Sequence, residues 1–519
     1  MDRSQLLEQL SSTTEWDVII IGGGATGLGI AMDAATRNYK TLLVEQADFA
    51  KGTSSKATKL VHGGVRYLAQ GDLGLVREAL HERGLLLKNA PHLTRNETFV
   101  IPNYTWFNVL KYTVGLKFYD LLSGKLSLGP SKYISRKQTI ADLPTIKQEG
   151  LKGGVVYHDG QFDDSRLAIN IAQTALENGA TVLNYVKVET LVKDNNSKVV
   201  GIIAKDVETG VSYKATGKVV INATGVYVDN VLHMDRPDAP HMVRPSQGVH
   251  LVLDPSFLPG EYALMIPETS DGRVLFAVPW HDKIIVGTTD TLRDHPELEP
   301  HALEQEIEFI LTTAGNYLTR KPKRSDVLAM FAGLRPLAAP QGEGAKTKEI
   351  SRSHKIIVSA SGLITITGGK WTTFRRMAQD TVQKAIELGV LPNKPCATEQ
   401  LHIHGYSGIP HTDPLYFYGS DLVGIKKLIE ANPSLGEKLH PQYPYIKALV
   451  VWAVKNEYAR KVEDVLGRRF RLLFLDARAA VAAAPAVAKI MAEELGRDAS
   501  WIQNEITDFT QLAQGYTLN

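Results

Sequence analysis

Residues 16–45, WDVIIIGGGATGLGIAMDAATRNYKTLLVE, constrain this chain more than any other stretch. Asp17 to Ile21 is a short apolar run rich in β-branched residues, which reads as a buried strand. It runs straight into Gly22-Gly23-Gly24-Ala25-Thr26-Gly27, a G-x-G-x-x-G pattern, and then into a predicted helix from Ala25 to about Asn38. A second apolar strand, residues 41–44, ends in Glu45, eighteen residues after Gly27. Gly22 lets the chain turn off the strand, Gly24 lets a pyrophosphate approach the backbone, and Gly27 lets helix and sheet pack closely. The helix N-terminus offers free N–H groups to phosphates, and Glu45 is placed to accept from ribose hydroxyls. Strand, glycines, helix, strand and acid in register predict a dinucleotide site.

The remaining composition narrows the function class. With 58 basic and 56 acidic residues the net charge is +2, so no bulk electrostatic case exists for nucleic-acid binding. The single cysteine, Cys396, allows neither an internal disulfide nor a cysteine-based metal site, which suits a reducing compartment, and no metal is expected. The first fifteen residues are polar and of mixed charge, unlike a signal or transit peptide. No uncharged apolar window is long enough to span a bilayer. The expected location is cytoplasmic, or on the cytoplasmic face of a membrane.

Along the chain, residues 46–59 form a polar loop whose Thr53, Ser54 and Ser55 are placed to reach a cofactor. Residues 59–68, KLVHGGVRYL, combine an acid/base group (His62), two glycines, a cation (Arg66) and Tyr67. Helices are expected over 73–89, 167–179 (amphipathic) and 303–318, and strands over 181–192, 199–206, 211–215 and 218–222. The last strand ends in a small-residue turn, Asn222-Ala223-Thr224-Gly225. Alternating strands dominate 245–290, and residues 327–336 place Arg335 after an apolar run. Residues 363–377 repeat the opening theme, returning Gly369 and Lys370 to the cofactor, with Arg375 and Arg376 expected on a solvated helix face. Beyond about residue 392 the chain turns to Ala-, Leu-, Glu- and Arg-rich helices, notably 446–458 and 477–496.

Residues 99–128 mix aromatic and aliphatic side chains with Lys111, Lys117 and Lys125 and a single acid, Asp120. Trp106, Phe107, Leu110, Val114, Phe118 and Leu121 share one helix face. Two readings remain open on the residues alone: core with snorkelling lysines, or an interfacial helix with its apolar side among lipid headgroups.

A nucleotide fold interrupted by an antiparallel sheet and rejoined near residue 369 favours FAD over NAD. The motifs TSS at 53–55, KLVHGGVRYL at 59–68, NATG at 222–225, GTTD at 287–290, GLRPL at 333–337 and TGGKWTTFR at 367–375 fall in one order. Together with EYARKVEDVLGRRFRLLFLDARAA at 457–480, they resemble the respiratory FAD-dependent glycerol-3-phosphate dehydrogenase family, within the D-amino-acid-oxidase-like flavoproteins. The resemblance spans nearly the whole chain. It implies an α/β fold: an FAD-binding Rossmann-like domain of the glutathione-reductase/D-amino-acid-oxidase type, an antiparallel-sheet substrate domain and a C-terminal helical domain. The expected limits are 16–244 with 327–392 for FAD, 245–326 for substrate and 397–519 for the helical cap, with parts of 60–165 and 180–215 contributing to the substrate side.

The implied reaction oxidises glycerol 3-phosphate to dihydroxyacetone phosphate, with electrons passing from FAD to a membrane quinone. His62 is the candidate base, Arg66 and Arg335 the phosphate clamp, Lys370 a substrate or reduced-flavin contact and Tyr67 a substrate hydrogen-bonder. For FAD the resemblance carries over Gly22, Gly24, Gly27, Glu45, Thr53, Ser54, Ser55, Ala223, Gly225 and Gly369, with Val188 offering backbone to adenine. It also favours the interfacial reading of 104–125 and a homodimer, placed peripherally on the inner face of the cell membrane. The competing activities are a glycerol-3-phosphate oxidase that makes hydrogen peroxide and a non-catalytic FAD-fold binding protein.

Overall fold

Strand Trp16–Ile21 lies at the centre of the first sheet and is buried on both faces, as its unbroken apolar run requires. The computed structural model describes residues 2–65, 72–269, 272–338 and 354–518, so Arg66 and Tyr67 lie outside the described residues. The strand order is Lys355–Val358, Ile364–Thr367, Ser212–Asn222, Trp16–Ile21, Thr41–Val44, Thr181–Leu183. All neighbours run parallel except the outermost Lys355–Val358. Val186–Lys193 and Val199–Asp206 extend the first half of Ser212–Asn222 as an antiparallel meander. The two strands expected over 211–215 and 218–222 are thus one, Ser212–Asn222. Helix Ala25–Thr36 packs against both Asp164–Glu177 and Phe374–Glu387.

The second sheet is wider than the expected 245–326. Its long antiparallel pair is Val243–Leu253 against Val327–Ala338, with Arg335 opposite Ser246. Lys283–Gly287, Leu275–Trp280 and Ala263–Ile266 follow, and Ala263–Ile266 joins Thr94–Asn103 in parallel. Gly153–Phe162 and Leu60–Val61 complete that side. Strands from within 60–162 therefore share the second sheet with strands from within 243–338. The strands within 180–215, expected to contribute to the substrate side, belong instead to the first sheet.

The C-terminal helices, including Lys447–Asn456, Ala477–Leu495 and Ala499–Gln514, are not a separate unit. One hydrophobic core runs from Val18 and Ile20 through Phe331 and Phe374 to Val487 and Phe509. Buried ion pairs cross the same contact: Arg166 with Glu457, Arg469 with Asp48 and Arg471 with Asp163. Charges this deep are stable only when paired. The contact also corrects two expectations about helices. Residues 164–175 are buried on every side rather than amphipathically, because cofactor-sheet and C-terminal elements enclose them. Arg375 is not solvated: its guanidinium pairs with Glu82 in the interior, while Arg376 stays half-exposed beside Asp380.

Helix Trp106–Ser123 is capped by the Thr105 hydroxyl, which accepts from the Asn108 N–H. Its inner face, Leu116 and Tyr119, is buried, whereas Trp106, Phe107, Leu110, Val114, Phe118 and Leu121 are between 42% and 74% exposed. Tertiary packing within the chain therefore leaves that stripe uncovered. Among the described residues no helix is long and apolar enough to cross a membrane.

Candidate active site

Two cavities meet beside the glycine turns. The first, about 430 Å³, is lined by Gly22, Gly24, Glu45, Thr53, Ser54, Val188, Ala223, Gly225, Gly369 and Lys370, among others. The spacing seen in the sequence becomes geometry here. Gly22 has φ +111°, and a Cβ on it would stand 2.7 Å from the Ala223 carbonyl oxygen. A Cβ on Gly27 would lie 1.9 Å from the Gly22 oxygen, so Gly27 serves the helix–turn contact and does not itself line the cavity. The Asn222 carboxamide oxygen accepts from the Thr224 N–H and hydroxyl, folding the turn that carries Ala223 and Gly225.

The loop residues divide. The Ser54 hydroxyl accepts from the Ala25 N–H at 2.9 Å, which puts a hydroxyl on the helix N-terminus at the cavity. Thr53 donates to the Leu334 carbonyl and lines both cavities. Ser55 lines neither: its buried hydroxyl turns to the Gly52 carbonyl and its own carbonyl accepts from Lys59. Glu45 is oriented by the Gly23 and Ala47 N–H groups, at 2.6 and 2.9 Å. Burial raises its carboxyl pKa against those two donors. Each oxygen keeps capacity for a further hydroxyl. Val188 lines the same cavity beside a bulge that skips Glu189 in the pairing with Val199–Asp206. A glycine cradle, a helix N-terminus and an oriented acid at the far end fit a dinucleotide such as FAD.

The second cavity, about 330 Å³, is lined by His62, Arg273, Thr288, Asp290, Arg335 and Lys370, with an apolar wall that includes Leu60, Phe99 and Phe276. It shares Thr53, Pro336, Gly368, Gly369, Lys370 and Trp371 with the first. His62 enters on the turn after Leu60–Val61, its N–H donating to the Thr372 hydroxyl at 3.2 Å. The Arg335 guanidinium donates to the Thr289 carbonyl and the Thr288 hydroxyl, both at 3.1 Å, and lies 3.5 Å from Asp290. Gly248 makes room for it, since a Cβ there would stand 2.2 Å from an Arg335 nitrogen. The structure thus brings His62, Arg335 and Lys370 together.

Sequence reading overlooked Arg273 and His250 in the same wall. Arg273 follows a polar turn and lies over the Phe309 ring, and nothing local marks it. His250 sits inside a strand that reads as core, and burial holds it well below the usual imidazole range. It also missed Trp371, whose indole N–H donates to the Ser54 carbonyl at 2.8 Å and braces the cofactor loop.

Comparison with known proteins agrees with this geometry. The profile of the FAD dependent oxidoreductase family matches residues 17–375, and that of the C-terminal domain of alpha-glycerophosphate oxidase matches residues 363–501. The mitochondrial glycerol-3-phosphate dehydrogenase of Homo sapiens is 40% identical over 96% of this chain and 73% of its own. The probable mitochondrial glycerol-3-phosphate dehydrogenase of Caenorhabditis elegans is 41% identical over 95% of this chain and 72% of its own. The crystal structure of the Bacillus halodurans glycerol-3-phosphate dehydrogenase complexed with FAD superposes with a TM-score of 0.81, at 30% identity, over 99% of this chain and 97% of that one. The chain therefore belongs to the FAD-dependent glycerol-3-phosphate dehydrogenase family, within the FAD-dependent oxidoreductases of the D-amino-acid-oxidase type.

Proposed function

We propose that this protein oxidises sn-glycerol 3-phosphate to dihydroxyacetone phosphate and delivers the electrons to a membrane quinone. The observation that carries the reading is the shared rim: a cavity lined by two histidines, His62 and His250, and four basic residues, Lys56, Arg273, Arg335 and Lys370, opens onto the cofactor cavity at Gly369 and Lys370. FAD, when bound, supplies the acceptor for the hydride from C2. The Arg335 and Arg273 guanidinium groups hold the substrate phosphate, with Arg66 as a further cation of the clamp. The His62 imidazole takes the C2 hydroxyl proton, and Lys370 steadies the negative charge that develops at the shared rim. Tyr67 hydrogen-bonds the substrate. In the division of labour we propose, 16–244 with 327–392 holds FAD, except that strands within 60–162 and Val327–Ala338 join the antiparallel sheet around 245–326 to hold substrate, and 397–519 caps both.

The exposed apolar stripe of helix Trp106–Ser123 supports peripheral attachment through 104–125 to the inner face of the cell membrane. The inner side of that helix supports delivery to quinone. The Tyr119 hydroxyl donates to Asp159 at 2.8 Å, and Asp159 lines the substrate cavity, so the lipid-facing element adjoins the redox site. We assign a homodimer on family grounds.

The test is anaerobic addition of glycerol 3-phosphate to the holoenzyme, with glycerol and lactate as controls. Bleaching of the flavin band by glycerol 3-phosphate alone is expected. Bleaching by none of the three overturns the substrate assignment. Faster reoxidation by a soluble quinone than by oxygen separates a dehydrogenase from a peroxide-forming oxidase.

A further inference from the structure

The loop that lines both cavities is flanked by two lysines, Lys51 half-buried and Lys56 buried, whose charges meet in one carboxylate. Lys51 borders the cofactor cavity and Lys56 the substrate cavity, with Thr53 and Ser54 between them. The Glu299 carboxylate lies 3.2 Å from the Lys51 ammonium and 2.7 Å from that of Lys56, and accepts from the Tyr516 hydroxyl at 2.9 Å. Lys51 has a second partner, Glu463, at 2.5 Å, which Arg468 also contacts at 2.9 Å. Among the described residues, Lys56 has Glu299 as its carboxylate partner, and its other contact is the Leu298 carbonyl at 3.4 Å. Leu298 in turn lines the cofactor cavity.

We propose that Glu299 is a positioning residue that acts through Lys56 and Lys51 to fix the cofactor loop and the net charge behind it, and so sets the reduction potential of the bound flavin. The inference rests on the FAD-dependent reading above. A two-electron reduced flavin is more anionic than its oxidised form, so any net charge behind the loop biases the couple. Lys56 is buried and Lys51 and Glu299 are only partly exposed, so Coulomb interactions here are screened less than in water. The geometry supplies one carboxylate between two ammonium groups, which cancels part of their charge while tethering both ends of the Thr53–Ser54 segment. Burial opposes the charged form of Glu299, but Lys56 and Lys51 outweigh it and hold the carboxyl down at about 2, so the carboxylate persists. Tyr516, just beyond helix Ala499–Gln514, ties the end of that helix to this arrangement.

The experiment is a redox titration of the holoenzyme without substrate, alongside melting temperatures, for wild type, K56M, E299Q and K56M/E299Q. K56M leaves a buried carboxylate with one ammonium fewer. It is expected to lower the flavin midpoint by at least a threefold change in the two-electron equilibrium, about 14 mV. The double variant removes both charges and is expected to return the potential to the wild-type value. If K56M loses its flavin, E299Q keeps the shape of the site and gives the complementary reading at pH 6, where an upward shift is expected. Wild-type potentials in all variants, with only the melting temperature lowered, would overturn the proposal and reduce the cluster to a structural ion pair. Because no substrate is present, this result is independent of whether glycerol 3-phosphate bleaches the flavin.

Discussion

The Arg375 guanidinium meets the Glu82 carboxylate through two hydrogen bonds, at 2.5 and 2.8 Å, joining helix Phe374–Glu387 to helix Leu73–Asn89 in the interior. Helix Phe374–Glu387 begins just beyond Lys370, at the rim where the cavities meet, so the pair anchors the element that follows the active-site turn. Replacing Arg375 with Leu strands a buried carboxylate and is expected to cost about 3–5 kcal/mol of stability. The double replacement E82L/R375L is expected to recover much of that loss in a denaturant titration, and an R375L protein as stable as wild type contradicts the buried-pair account.

Arg335 faces the substrate cavity from strand Val327–Ala338 and is fixed by Thr288 and Thr289. R335A removes a charged donor to the substrate phosphate, worth about 1.5–3 kcal/mol, which is on the order of 10- to 100-fold in KM. Flavin content should stay unchanged, since the guanidinium does not border the cofactor cavity. Loss of flavin with an unchanged KM would remove Arg335 from the phosphate clamp.

His62 is assigned the proton transfer, and its side chain lines the substrate cavity. H62A should slow anaerobic flavin reduction by roughly 10²–10⁴-fold while the Kd for glycerol 3-phosphate changes little. Stopped-flow reduction at saturating substrate measures this directly. A reduction rate within a few-fold of wild type would make His62 a positioning donor only.

How much of this was readable beforehand depended on whether the information was local. The turn at Gly22 to Gly27 was legible because its pattern is local, with Gly27 answering to the Gly22 oxygen, although the Ala223 oxygen that Gly22 itself faces comes from a distant strand end. The exposed stripe from Trp106 to Leu121 was legible as one helix face, although composition alone did not distinguish lipid from core. Arg375 was misread because charge alone suggests a solvated face; its partner Glu82 lies 293 residues away. Ser55 was misread for the opposite reason, since a hydroxyl beside two cavity-lining neighbours turns inward in the short 3₁₀ turn Thr53–Ser55. His250 reaches the cavity from a strand paired with the distant Val327–Ala338, and Arg273 from the turn before Leu275–Trp280, neither of which leaves a mark on its own segment.

The apolar stripe should govern membrane attachment. Replacing Trp106, Phe107 and Leu110 together by Ser removes three side chains that are each more than 60% exposed, so little folding stability should be lost. Co-sedimentation with anionic vesicles is expected to fall at least tenfold, since each such side chain contributes about 1.5–3 kcal/mol on burial. Undiminished sedimentation at an unchanged melting temperature would assign the stripe to another partner.

His404 links the C-terminal region to helix Asp164–Glu177, bonding Asp421 at 3.1 Å and Glu177 at 2.5 Å. Burial disfavours its charged form, yet the hydrogen bonds to Asp421 and Glu177 prevail and push the imidazole up to about 9. A folded-state pKa above the unfolded 6.5 means the stabilisation is full below pH 6.5 and lost as pH rises through 9. H404Q should therefore be less stable than wild type at pH 6, by on the order of 2 kcal/mol, and equal to it near pH 10. Parallel melting curves at the two pH values check this; a gap that does not narrow rules out the ionised histidine.

The rim shared by the two cavities, Gly368 to Trp371 with Thr53 and Pro336, has an implication for protein stripped of flavin. If flavin and glycerol 3-phosphate occupy the two cavities as proposed, a flavin seated at that rim forms part of the wall that the small molecule meets. Binding is then expected to be ordered, with the flavin seated before the small molecule. Ligands that straddle the rim would compete with both molecules at once.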